Sequence, residues 1–411
     1  MAGRSRGLGG RGWAWALGAG LLALLGGVPA AQAQTGLIRL GGVYFNLATF
    51  LEAEYNDNIN YSNENRESDI ILRPGFQVGA SYQVSQLNTL SLDLGMSLQQ
   101  YLIHSSLSSF NSFASITPDS QLAYTIIVDN FTIKVYDAFS FSVQPNDVVI
   151  FNKTSNNFVY QISQYPRFTN QGGFNVDWNL NRVILYAGAY RYDVFPTTSE
   201  FNALARTQYT GLAGGRVIIS PSVTAGLGVT YSANSFSQGF NNNSGSWYVG
   251  PTLVWQPNSS WTFNASGGYI FYSFQNTGTN GDTSQPSTLV GTASVTEQIN
   301  SKMNHSVTIS RTSSYGYVSN TVDVNRVGYQ FQWLFRPRWT GNFWAYVEQG
   351  KDSGGLQPAD YTKYGFSPGV EYQWNPNATI YANYEYTEQT SNIAAQAYNR
   401  DRILIGLRYQ F

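Results

Sequence analysis

Arg402-Ile403-Leu404-Ile405-Gly406-Leu407-Arg408-Tyr409-Gln410-Phe411 decides the fold. Every odd position is aliphatic or aromatic, whereas the even positions are polar or small apart from Leu404. Successive side chains of a strand point to opposite faces, so this rhythm describes a strand with one greasy and one wet side. Leu90, Leu92, Leu94, Met96 and Leu98 alternate in the same way with Ser91, Asp93, Gly95, Ser97 and Gln99. Val223 to Ser232 repeats the pattern. A soluble sandwich would alternate too, but these segments run roughly 10 to 15 residues. Soluble strands usually span about 5 or 6, and about 10 suffice to cross a bilayer at a tilt.

Eighteen such segments are expected, from 47–56 to 399–411. The weakest is 113–127, which Pro118 and Asp119 interrupt, and losing a strand pair there would leave 16. The connections alternate between brief turns, such as 128–130 and 256–260, and long polar loops, such as 57–69, 143–168 and 276–286. That asymmetry is the pattern of transmembrane β-barrels. Trp255-Gln256-Pro257-Asn258, Phe335-Arg336-Pro337-Arg338 and Trp374-Asn375-Pro376-Asn377 repeat an aromatic-spacer-proline turn. Together with Trp178, Trp261 and Trp339 they are expected to form an aromatic girdle at one membrane interface, rather than to be core tryptophans. Pro74, Pro251 and Pro368 lie inside strands, where the missing amide donor predicts bulges.

Residues 1–33 read as an export signal: Arg4, Arg6 and Arg11, an apolar run from Trp13 to Leu25, and small residues Ala31 and Ala33 at the cleavage positions. Residues 34–46 would then precede the barrel, lying in its lumen or at its mouth, and 47–411 would form it. Setting aside the three arginines leaves 20 of the 23 basic residues against 24 acidic ones, a net charge of −4. No nucleic-acid partner is expected from such a balance. After the signal, no segment approaches the roughly 18 apolar residues of a membrane helix. Cys is absent, which excludes disulfides and thiolate chemistry.

The alternation ending in Leu407, Tyr409 and Phe411 resembles the terminal strand by which the bacterial barrel-assembly machinery receives its clients. Lipid requires every backbone group to be paired internally, so the last strand must meet the first. On that seam, parity places Arg402 and Arg408 opposite Glu52 and Glu54, a potential charge network. Glu54-Tyr55-Asn56-Asp57-Asn58-Ile59, Asp69, and Arg73-Pro74-Gly75-Phe76 resemble the outer-membrane β-barrel porin family often associated with exopolysaccharide operons. The resemblance implies an outer-membrane barrel in contact with lipid and, less directly, polysaccharide-export partners. It brings no catalytic residue.

An all-β barrel of this size encloses a lumen, and passive passage of small solutes or export of a polysaccharide becomes the expected function. The candidate pore-lining residues by parity are Glu52, Glu54, Arg73, Asp93, Lys134, Arg326, Lys363, Glu371, Glu385, Arg402 and Arg408, joined by Asp177 and Arg206. Both signs occur, so no strong ion selectivity is expected. The loop 143–168 would fold inward as a constriction or stand as a surface flap. A plugged barrel acting as adhesin or scaffold is one rival reading. A lipid-modifying enzyme is another, resting on His104-Ser105-Ser106, in which histidine could activate a serine, although no orienting partner is evident. Asn280 and Asp282 could hold calcium, but an ordinary polar loop is the expectation. No metal site or cofactor is predicted.

Overall fold

The computed structural model describes residues 37–108, 115–117, 119–142, 145–152, 157–164, 166–316 and 318–411. The cleavage residues Ala31 and Ala33 lie outside them. Eighteen antiparallel strands close into one barrel. The first five are β1 (Val43–Asn56), β2 (Asp69–Gln83), β3 (Thr89–Ser97 continued by Gln100–Tyr101), β4 (Ser115–Ile116 continued by Gln121–Val128) and β5 (Phe131–Ser142). Next come β6 (Arg167–Leu180), β7 (Val183–Pro196), β8 (Arg206–Ser220), β9 (Val223–Phe236), β10 (Ser244–Trp255), β11 (Trp261–Phe274) and β12 (Ser287–Asn300). The last are β13 (Met303–Tyr315), β14 (Thr321–Arg336), β15 (Trp339–Asp352), β16 (Asp360–Gln373), β17 (Ala378–Ser391) and β18 (Tyr398–Gln410).

The seam closes by pairing β1 with β18, from Ala48↔Gln410 to Asn56↔Arg402. The barrel begins at Val43, four residues earlier than expected. Ahead of it, Leu37–Leu40 turns back through Gly41 at φ 62° and pairs with Val43 to Asn46 of β1. These residues therefore lie on the seam at the short-turn end and do not enter the lumen. The doubtful fourth strand exists in two pieces. The Ser120 hydroxyl receives the Gly95 amide at 3.1 Å and the Ser120 carbonyl accepts the Phe139 amide at 3.0 Å, which carries the sheet across the break.

The expectation of bulges at the in-strand prolines is wrong. Across Pro74, Pro251 and Pro368 the pairing skips two positions on each strand and resumes in the same register, as in Phe366↔Tyr386 followed by Gly369↔Asn383. Losing one donor interrupts the ladder there without an extra residue. Register does shift at Ile218/Ser220, Gln298/Asn300 and Trp333/Arg336, all beside short turns.

Outward positions carry the large apolar side chains: Leu51, Phe76, Leu227, Leu289, Ile405 and Leu407 are all exposed. The tryptophans of the short-turn end also point outward. Phe131 stacks on Trp178 at 5.4 Å, and Trp339 lies 4.6 Å from Tyr372. At the other end the loops interlock. Asn242 donates to the Asp282 carbonyl and the Asn320 side chain, both at 2.8 Å, while the Asp282 carboxylate accepts the Asn320 amide and the Ser353 hydroxyl at 2.8 and 2.7 Å. A Cβ on Gly278 would come within 2.7 Å of the Phe240 carbonyl, so only glycine permits the loops to approach this closely.

Candidate functional site: the barrel lumen

Facing positions of successive strands form rows around the interior. Because the side-chain period is two, each row is wholly inside or wholly outside. One such row is Arg326↔Glu348↔Lys363, which alternates charge across β14, β15 and β16. Another runs Glu371↔Tyr381↔Gly406↔Glu52↔Arg73 from β16 across the seam to β2. All the proposed pore-lining positions fall on the inner parity.

The seam holds the densest charge cluster. Glu54, only 1% exposed, accepts from Arg73 at 2.5 Å and from Arg402 at 2.6 Å. Glu385 of β17 accepts from Arg400 at 2.7 Å and Arg402 at 3.3 Å. The Arg400 guanidinium lies 4.9 Å above the Tyr61 ring, supplied by the β1–β2 loop. Four strands and one loop are thereby tied across the closure. The expected network is realised only in part, because Arg408 reaches Gln77 at 3.4 Å and Glu52 accepts from the Tyr381 hydroxyl at 2.6 Å.

On the opposite wall, Asp177 lies 3.9 Å from Arg216, and Lys134 sits 5.7 Å from the Tyr136 ring centroid. Arg206 lies over Tyr315 at 5.9 Å, and Asp93 faces inward as an exposed carboxylate. Most of this wall is neutral and polar, with rows such as Gln171↔Tyr192↔Gln208↔Asn234↔Ser244 and Tyr190↔Thr210↔Ser232↔Ser246. A small apolar cluster of Ile270, Tyr272, Phe274 and Tyr315 forms where the end of β13 leaves its pairing with β12 beyond Arg311 and leans inward. Elsewhere tyrosine rings lie flat against bare backbone. The Tyr186 hydroxyl would be 2.3 Å from a Cβ at Gly214 and 2.6 Å from one at Gly228, so glycines keep this ring out of the central space.

Glu348, Arg400 and Arg216 belong to the lumen although they were not among the candidates. Inner parity alone would have found all three. The loop between β5 and β6 contributes an antiparallel hairpin of Pro145–Asn152 and Asn157–Gln164, whose second strand approaches Ala394–Gln396 in the β17–β18 loop. This contact sets the hairpin beside the β17–β18 loop.

The candidate catalytic histidine acquires a partner that the sequence did not reveal. His104 Nδ1 lies 2.9 Å from the fully buried Asp69 carboxylate, and Nε2 turns toward Glu67 at 3.6 Å. Asp69 also accepts the amides of Leu102, Ile103 and His104. Both ring nitrogens are directed at carboxylates, and the pair fastens a loop to the strand edge. Likewise, the Asp282 oxygens bind protein donors, and no cluster of metal-ligating residues occurs among the described residues.

Residues 288–411 match the family model described as "Putative beta-barrel porin 2". No curated protein matches the chain. The barrel is similar to that of a BenF-like porin from Pseudomonas fluorescens Pf-5, with TM-score 0.53, 11% identity, and coverage of 90% of this chain and 100% of that one. It is similar to Pseudomonas aeruginosa OccK2 (OpdF) in complex with glucuronate, with TM-score 0.52, 11% identity, and coverage of 92% and 100%. For Pseudomonas aeruginosa OpdQ the TM-score is 0.51 at 11% identity, covering 90% and 97%. At such identities the likeness is one of fold.

Proposed function

From a closed porin-like barrel whose last third matches a porin family, we propose that the protein is an outer-membrane channel for the passive passage of small hydrophilic solutes. One observation carries the reading: the outer face is apolar and ringed with aromatics, while the inner rows bear charges, amides and hydroxyls. A wet interior inside a sheet without open edges conducts unless something fills it. The chain would be exported with residues 1–33 removed between Ala33 and Gln34, and received by the assembly machinery through Leu407, Tyr409 and Phe411. Export of a polysaccharide is the sharper version, drawn from the family resemblance and its exopolysaccharide association. Single-channel recording in planar bilayers tests the general reading: stepwise conductance is expected, and a silent bilayer would favour a plugged adhesin or scaffold. Deleting the gene tests the sharper one, since polymer should accumulate in the periplasm, and unchanged surface polymer would refute it.

A further inference from the structure

Trp344 stands apart from the other described tryptophans. Those face outward, as Trp178, Trp247 and Trp333 do, or border short turns. Trp344 falls on the inner parity of β15, two residues before Tyr346 and four before Glu348, and is half-buried. Its ring stacks on Tyr346 with centroids 5.2 Å apart and planes inclined by 12°, and the Arg326 guanidinium lies 4.2 Å from the centre of the Tyr346 ring. Tyr346 is flanked across the ladder by Gly328 and Gly365, and a Cβ on Gly365 would come within 2.8 Å of its ring, so the stack rests against the wall.

An indole in the lumen adds nothing to the contact with lipid, and wetting its face is unfavourable. Around it stand amides. Gln330, its direct cross-strand neighbour, is exposed and makes no side-chain hydrogen bond among the described residues. Asn342 donates to Glu371 at 3.3 Å, and Gln332 accepts from Asn304 at 3.2 Å. Each amide both donates and accepts, and Asn342 and Gln332 keep capacity beyond these bonds. A flat apolar face rimmed by such groups complements a pyranose ring, which presents C–H bonds on one face and hydroxyls at its edge. An aromatic carboxylate would need a free cation beside the indole, but Arg326 is committed to Tyr346 and to Glu348 at 3.7 Å.

We propose that Trp344, with Gln330, Asn342 and Gln332, forms a saccharide-binding platform on the lumen wall that takes neutral hexopyranose units of a passing oligosaccharide. This rests on the channel reading and adds the class of solute. The test is current recording on the reconstituted full chain with maltohexaose as probe. Brief interruptions of the open-channel current are expected, with at least a tenfold weaker apparent affinity in Trp344→Ala and Gln330→Ala but no change in Trp247→Phe. Heat-dependent gel mobility verifies that each variant is folded. Open channels that maltohexaose never interrupts, equal interruption in Trp344→Ala, or interruption by benzoate alone would each overturn the proposal while leaving the channel reading intact. If no conductance is seen the channel reading fails, and tryptophan fluorescence of the detergent-solubilised barrel then decides the site. A response to maltohexaose that vanishes in Trp344→Phe upholds the platform, and no response overturns it.

Discussion

Replacing Glu54 by glutamine would keep an acceptor where Arg73 and Arg402 both donate, to the single oxygen Oε2, but would remove the negative charge that offsets the two guanidiniums. The carboxylate is 1% exposed, and the arginine side chains are 16% and 26% exposed. Removing one partner of a buried ion pair costs about 3 to 5 kcal/mol. The lower end applies because lumen water reaches both arginines and Arg402 retains Glu385 at 3.3 Å. About 3 kcal/mol corresponds to roughly a hundredfold loss in the folding equilibrium. Glu52→Gln is the matched control: its main contact is the Tyr381 hydroxyl, which an amide oxygen also accepts, so the cost should stay under about 1 kcal/mol. Equilibrium urea unfolding in lipid vesicles, followed by tryptophan fluorescence, measures both. Adding Arg73→Met to Glu54→Gln should recover part of the loss by removing the stranded cation. If Glu54→Gln and Glu52→Gln unfold within about 0.5 kcal/mol of each other, well inside the difference that burial implies, the reasoning about the seam is wrong.

Gly228→Val should push the Tyr186 ring off the wall and lower single-channel conductance without changing heat-dependent gel mobility, and unaltered conductance would show that the ring has room elsewhere. Burial alone would raise the Asp282 carboxyl, but donors from Asn320, Ser284 and Ser353 outweigh it and hold the group below its ordinary value of 3.8. The loop knot is therefore fully stabilised above that value and loses this contribution as pH falls through the lowered one. Limited proteolysis by pepsin should accelerate in the knotted loops over that interval, and Asp282→Asn should show the faster cleavage already at pH 5. His104→Ala should free the loop from Leu102 to Ser108 and raise amide exchange there while leaving conductance unchanged; unchanged exchange would mean that the backbone bonds to Asp69 suffice.

The number of strands and nearly all their limits were legible because alternation is a consequence of backbone geometry and needs no knowledge of distant contacts. Parity likewise assigned Glu54 and Arg402 to the same interior. It could not assign partners, since a diagonal such as Glu54 to Arg402 depends on the stagger of the ladder across the seam. Arg408 and Glu52 accordingly found Gln77 and Tyr381. The loop knot joins Asn242 to Asn320 across 78 positions, and no local pattern reports such a meeting. His104 looked partnerless for the same reason, because Asp69 lies 35 residues away on another strand. The prolines misled in a different way, since a lost donor was equated with an inserted residue.

Phe411 donates its amide to the Leu47 carbonyl, and Leu37 sits opposite Asn46, the next position along the same edge of β1. Leu37–Leu40 thus runs on in the direction of β18 from the point where β18 stops, so the cylinder has no topologically privileged starting place. A circular permutant that joins Phe411 directly to Leu37 and opens the chain in the β7–β8 loop should refold from urea into the same cylinder in detergent, where no assembly machinery has to read a terminal strand, with its new ends at the long-loop end.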